Sequence, residues 1–289
     1  MRNANSGFTM MEIAIVLAII GLVIGGIMSG MNMMKSSRLR GIITQATSYT
    51  NAMEQFKDQY GEMPGDFTQA QRIWGKADTS NANVDVSCIA ATADYSATYS
   101  GRATCNGNGN GQILGNEAFR AWQHMANAGL IEGNYSGKNG TGGQYHAMPG
   151  YNTPAGPLKN SVFHYFLYTH LVDDATLFDG DYTYSLILGE KHGSSNPVVS
   201  LLTPKQLYDI DVKTDDGKPA YGYVRSIRGT FLNTTGGRSC VTKDGVVMAT
   251  AADYGLDPLT AEYTRGDPRV LCYAIFMYGF GLDNRALNR

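Results

Sequence analysis

Residues 7–26 read GFTMMEIAIVLAIIGLVIGG, a single acid, Glu12, at the start of an apolar run that continues to residue 34 without another charge. As a helix the uncharged stretch 13–34 would be about 33 Å long at 1.5 Å per residue. That length crosses a hydrocarbon core about 30 Å thick. Lys35, Arg38 and Arg40 close the run. A cleaved secretory signal needs a small-residue site beyond its apolar stretch. Ser36 and Ser37 do not supply one, so the segment is expected to stay on the mature protein. A carboxylate in a lipid-embedded helix costs a few kcal/mol unless it is paired. Glu12 therefore calls for a cationic partner, unless it sits at the interface and merely complements the positive helix N-terminus.

Past residue 35 the pattern turns amphipathic, with Leu39, Ile42, Ile43, Ala46, Tyr49, Met53, Phe56 and Tyr60 recurring at steps of three or four. One helix is expected over 9–60, about 75 Å long, stopped by Gly61 and Pro64. Gly21, Gly25, Gly26 and Gly30 weaken its apolar half, each by about 1 kcal/mol relative to Ala, and local melting is expected there. They also allow close helix packing of the small-xxx-small kind. The 289 residues are ample for a core. Only 17% are charged, against roughly 25% in an ordinary soluble domain; Gly, Tyr and small polar residues take their place. The formal charge of −2 lacks the cationic excess of a nucleic-acid binder, so nucleic acid is not expected as a partner.

The Gly7-Phe8 junction, Glu12 four residues beyond Phe8, and the uncharged helix together resemble the type IV pilin and pseudopilin family. The resemblance implies an α+β, lollipop-shaped fold. A prepilin leader (1–7) precedes a long N-terminal helix (8–60, apolar half 13–34), which packs on an extracytoplasmic head (61–289) built on an antiparallel β-sheet. It implies cleavage after Gly7 by a prepilin peptidase, N-methylation of Phe8, and pairing of Glu12 with the amine of a neighbouring subunit. The expected function is a structural, non-enzymatic subunit of a type IV pilus-like filament. The alternatives are a pseudopilin of a type II secretion system, or a minor pilin or adhesin with a ligand-binding head. Its partners would be copies of itself, other pilins or pseudopilins, the peptidase and an inner-membrane assembly platform. It would cross the bacterial inner membrane once before assembly and then lie in an extracytoplasmic filament. A positive-inside count disagrees, because three cations follow the segment and only Arg2 precedes it. Four cysteines and the polar head composition favour the outside. Filaments of this family commonly unwind a glycine-to-proline stretch of the stem; Gly21 aligns with its start, and Ser29 stands where the proline is usual. MPGD at 63–66, AWQHMANAGLIEG at 121–133 and DVKTDDGKPAYGYVR at 211–225 also resemble segments of large pilin-like subunits.

In the head, an even cysteine count in an exported chain implies two disulfides. The sequence-local pairs Cys88 with Cys105 and Cys240 with Cys272 are preferred among three connectivities. Residues 76–104 read as a variable loop. The Asn/Gly loop 105–117 places Asn106, Asn108, Asn110 and Gln112 at alternating positions, Gly111 sixth and Glu117 twelfth, the spacing of a calcium loop. Asn stands where Asp is usual, so any calcium would bind weakly, and a plain turn-rich loop capped by a helix is the favoured reading. By resemblance to pseudopilins, Asp209, Asp211, Asp215 and Asp216 form a second candidate calcium group; a simple turn at Asp216-Gly217 is the alternative. A core helix is expected over 117–130, with Phe119, Trp122, Met125, Ala126 and Leu130 on one face. Strands are expected in the runs at 162–168, 182–188, 197–202, 221–227 and 270–278, and a capped helix from Thr203 to near Asp215. His164 and His170 would share one strand face, too far apart for one metal. No nucleophile elbow, HExxH or phosphate loop occurs.

Overall fold

Thr9 opens the first helix because its side chain accepts the Glu12 N–H while the Glu12 carboxylate reaches back to the Thr9 N–H, a reciprocal capping box. The computed structural model describes residues 9–77, 102–140, 145–165, 170–171, 177–178, 180–182, 184–193, 197–226, 240–243, 246–247 and 260–277. Helix α1 (Met10–Tyr60) ends where Gly61 takes a left-handed φ of 77° and donates to Lys57 O. It runs unbroken through Gly21, Gly25, Gly26 and Gly30, so the expected melting is not seen in the single chain. Four glycines lower helix stability without removing any hydrogen bond from the ladder.

The two halves of α1 differ completely in burial. Residues 10–34 are exposed throughout, whereas Leu39, Ile42, Ala46, Met53 and Phe56 are buried against the head. Tyr49 meets Trp122 and Phe163 edge-on at 5.1 and 5.2 Å. Each such large apolar side chain contributes about 1.5–3 kcal/mol by leaving water, so the stem and head form one core.

The short helix α2 (Ala70–Trp74) follows the stem. Helix α3 (Glu117–Asn127) buries Trp122 completely. It stops three residues before the expected Leu130, because Gly129 turns the chain with φ 76° and bonds back to Ala126 O. From α3, His124 Nδ1 accepts the Gly65 N–H at 3.0 Å, which leaves the ring proton on Nε2 for Thr104 Oγ1 at 3.1 Å or Cys105 O at 3.2 Å. One neutral imidazole thus joins three segments. Burial, followed by the Arg120 charge, pushes its pKa down to about 3. Gly65 has φ 89°, and a Cβ there would stand 2.3 Å from Glu117 O, so this crossing needs glycine.

The main sheet has four antiparallel strands in the order β1 (Ser161–Tyr165), β4 (Leu186–Glu190), β9 (Ala274–Phe276), β5 (Val224–Arg225). Phe163 lies opposite Leu188, and Ile187 opposite Ile275. β2 (His170–Leu171) pairs with β3 (Gly180–Asp181), and β6 (Val241–Lys243) lies between β7 (Val246–Val247) and β8 (Ala261–Tyr263). The strands are shorter than the apolar runs suggest. At 182–188 a turn from Tyr182 O to the Ser185 N–H delays the strand to Leu186. At 197–202 only isolated bridges form, Val199 with Glu190 and Leu202 with Cys272. His164 and His170 fall in different sheets, β1 and β2.

His164 is fully buried against the Phe119 ring at 4.6 Å, and among the described residues neither ring nitrogen has a hydrogen-bond partner. Burial alone pushes its pKa down to about 3. Helix α4 (Pro204–Thr214) begins with the Thr203–Gln206 capping box and Pro204 in its first turn. Cys240 and Cys272 form a disulfide. Cys105 is also disulfide-bonded; Cys88, its expected partner, lies outside the described residues.

Candidate functional site

The start of α1 concentrates the chain's most unusual chemistry. Glu12 Oε2 accepts from the Thr9 N–H at 2.8 Å and from the Thr9 hydroxyl at 2.9 Å, while the Glu12 N–H donates to Thr9 Oγ1 at 3.3 Å. A short polar residue one turn before the acid therefore folds the carboxylate back onto the helix end, where the positive end of the helix dipole favours it. Thr9 plays this part, and reading the acid alone missed it; the T-x-x-E spacing is its signal. Gly7 and Phe8, the expected cleavage and methylation positions, lie outside the described residues.

Beyond Glu12, residues 13–34 present apolar side chains in every direction around the helix, and nothing among the described residues covers them. This is the one described helix long and apolar enough to cross a membrane. A Cβ built on Gly21, Gly25, Gly26 or Gly30 would meet no atom within 4 Å. Among the described residues their small size thus serves no packing contact.

Two further sequence candidates lie in the head. In the Asn/Gly loop the side-chain oxygens of three asparagines accept backbone N–H groups: Asn106 from Gln71 at 2.8 Å, Asn108 from Asn110 at 3.0 Å, Asn110 from Gln112 at 2.8 Å. Glu117 accepts from Asn108 at 3.1 Å and Leu114 at 3.3 Å. Burial pushes its pKa up; the two N–H bonds oppose this, and the neighbouring Asp66 adds to it. The loop wraps a residue that its own spacing does not indicate. Asp66, 2% exposed, accepts the N–H groups of Gly109 at 2.6 Å, Asn110 at 3.1 Å and Gly111 at 2.7 Å. Arg120 Nη1 donates to Asn106 O at 3.0 Å. Gly107 admits this approach, since a Cβ there would fall 2.3 Å from Asp66 Cα. A twelve-residue pattern cannot point to an acid forty positions earlier; the one signal was the MPGD segment that contains it.

The structure brings together Asp211, Asp215 and Asp216, one oxygen from each lying within 4.8 Å of the others. Asp209 stands apart, paired with Lys205 at 2.9 Å. Asp211 is buried and accepts from the Tyr263 hydroxyl at 2.7 Å and the Gly217 N–H at 3.1 Å. Burial pushes it up to about 7 despite these bonds. Asp215 accepts the Tyr223 N–H, and Asp216 accepts the Lys218 N–H at 2.7 Å. These acids serve as anchors for the turn after α4.

A family model, the prokaryotic N-terminal methylation motif, matches residues 2–28. No curated protein and no solved structure matches the chain. The match covers the Gly7-Phe8 junction, Glu12 and most of the exposed apolar helix. Motif, capped acid and uncovered stem coincide in one segment, and the chain thus carries at its N-terminus the leader of the type IV pilins and pseudopilins.

Proposed function

We propose that this chain is a structural subunit of an extracytoplasmic, type IV pilus-like filament, assembled through α1. The observation that carries the reading is the coincidence of the methylation motif with a helix whose residues 10–34 are wholly exposed. In the proposed sequence a prepilin peptidase hydrolyses the Gly7–Phe8 bond and methylates the new amine. Removing residues 1–7 takes Arg2 away, so the formal charge moves from −2 to −3. The methylated amine keeps its positive charge. In the membrane the Thr9 cap satisfies Glu12 Oε2, and among the described residues Oε1 has no partner. A neighbouring subunit's Phe8 amine can therefore be added without dismantling the cap. Lipid tails are as apolar as side chains, so bundling the stems gains packing and little hydrophobic energy. Assembly on this account is driven by a platform and registered by the charge pair. No catalytic role is assigned to the chain.

The test separates charge from capping. Glu12→Gln keeps an oxygen for the Thr9 bonds, whereas Glu12→Ala removes both. Each variant is expected to insert into the membrane normally, and neither is expected to enter filaments alongside the unmodified chain in sheared-fibre fractions. Normal incorporation of Glu12→Gln would show that the charge pair is not used.

A further inference from the structure

The chain contains three Asn-x-Ser/Thr triplets, at Asn134, Asn139 and Asn233, the pattern of an N-glycosylation acceptor on an exported surface. Asn233 lies outside the described residues. Asn139 is 2% exposed, and its side-chain oxygen accepts the Tyr145 N–H at 3.1 Å. Its carboxamide is therefore withheld from solvent. Asn134 differs in each respect. It is exposed, lies in the loop just after α3, and its side chain forms no hydrogen bond among the described residues.

The residues around Asn134 present it outward. Tyr135 turns inward, 7% exposed, with its ring 6.5 Å from Trp122 and its hydroxyl donating to Glu132 O at 3.1 Å. Glu132, Gly133 and Asn134 are left on the surface. Ser136, the hydroxyl residue of the triplet, bonds only weakly through Oγ, 3.4 Å from Lys138 O. A transferase could take up that hydroxyl at little cost. Glu132 also places an acid two residues before Asn134. Gly137 and Phe231 hold that place for the other two triplets.

We propose that Asn134 is an N-glycosylation site, modified by a saccharide carried on a polyprenyl diphosphate. The carboxamide nitrogen attacks the anomeric carbon. The new C–N bond forms as the C–O bond to the diphosphate breaks; the nitrogen gives one proton to a base in the transferase, and the lipid diphosphate leaves with the bonding pair. No oxidant or reductant is needed. The inference rests on the reading that the head lies outside the cytoplasm.

The experiment uses the full chain, purified from the cells that make it. Cleavage after Arg120 and Lys138 yields a peptide holding Asn134 as its one triplet, and tandem mass spectrometry places any saccharide. A saccharide on Asn134 is expected. It should be lost in Asn134→Gln and Ser136→Ala and kept in Ser136→Thr. These residues are at the surface or conservatively replaced, and circular dichroism of each variant checks the fold. Protease treatment of spheroplasts in parallel reports where the head lies. A digestible head with an unmodified Asn134, or with a saccharide only on a hydroxyl, Asn139 or Asn233, overturns the inference and leaves the export reading intact. A head that protease cannot reach overturns both.

Discussion

Replacing His164 by Leu is expected to make the head no less stable at pH 7 and markedly less sensitive to acid. His164 is fully buried in β1 beside Phe119, Val162 and Ala147, and both ring nitrogens lack partners among the described residues. A buried polar group without a partner costs about 1–3 kcal/mol, a cost that Leu removes while filling a similar volume. The acid term follows from the depressed pKa. The unfolded chain binds a proton below its ordinary value near 6.5, whereas the folded ring resists until about 3. The neutral ring's contribution is therefore intact above 6.5 and is lost as the pH falls from 6.5 towards 3. Between pH 7 and 4.5 this amounts to about 2.5 kcal/mol for one such histidine. His124 loses stability in the same direction, and Asp211, raised to about 7, gains it on protonation. Both are unchanged in the variant and cancel in the comparison. Denaturant unfolding of the full chain in detergent, at pH 7 and 4.5, gives the four required stabilities. The reasoning fails if Leu costs more than about 2 kcal/mol at pH 7, or if both proteins lose the same stability on acidification. Either outcome would mean that the ring has a partner in the fold.

Two other perturbations test the head. Asp66→Ala removes a carboxylate bonded to three loop N–H groups and is expected to cost about 2–3 kcal/mol. Thermal melting should register this loss equally with and without a calcium chelator; a loss confined to the unchelated protein would give the loop's shape to a bound cation instead. Cys240→Ser together with Cys272→Ser opens a loop with a sequence separation of 32 and should cost about 3.7 kcal/mol by chain entropy, read as a lower unfolding midpoint. An unchanged midpoint would mean that the bond constrains nothing in the unfolded chain.

How much of this was legible in the sequence depends on how local the cause is. The stem is written in consecutive residues: an apolar run, Thr9 and Glu12 at capping distance, and Gly61 at the end. The same holds for α4, where Thr203, Pro204 and Gln206 specify the start. The sheet was legible in kind and not in extent. Residues 186–188 and 271–277 are buried, and so are Tyr182 and Ser185, so burial alone does not separate the ladder from the turn that those two make. The pairing of Leu188 with Ala274 joins residues far apart in the chain and leaves no periodic trace. The Asn/Gly loop shows the limit most clearly, since its spacing directed attention to 106–117 while the charges that organise it include Asp66 and Arg120. His164 gave no sign at all, because an unpartnered imidazole looks in sequence like any other histidine in a strand.

The central claim is that residues 1–7 are temporary and that the apolar stem then buries itself among copies. It is tested most directly by intact mass and N-terminal peptide analysis of the protein taken from sheared surface fibres and from membranes. The account predicts fibres whose subunits begin at Phe8, one methyl group heavier than the unmodified amine, with residues 1–7 retained only in the membrane pool. Fibres lacking the chain, with a soluble monomer that still begins at Met1, would contradict it.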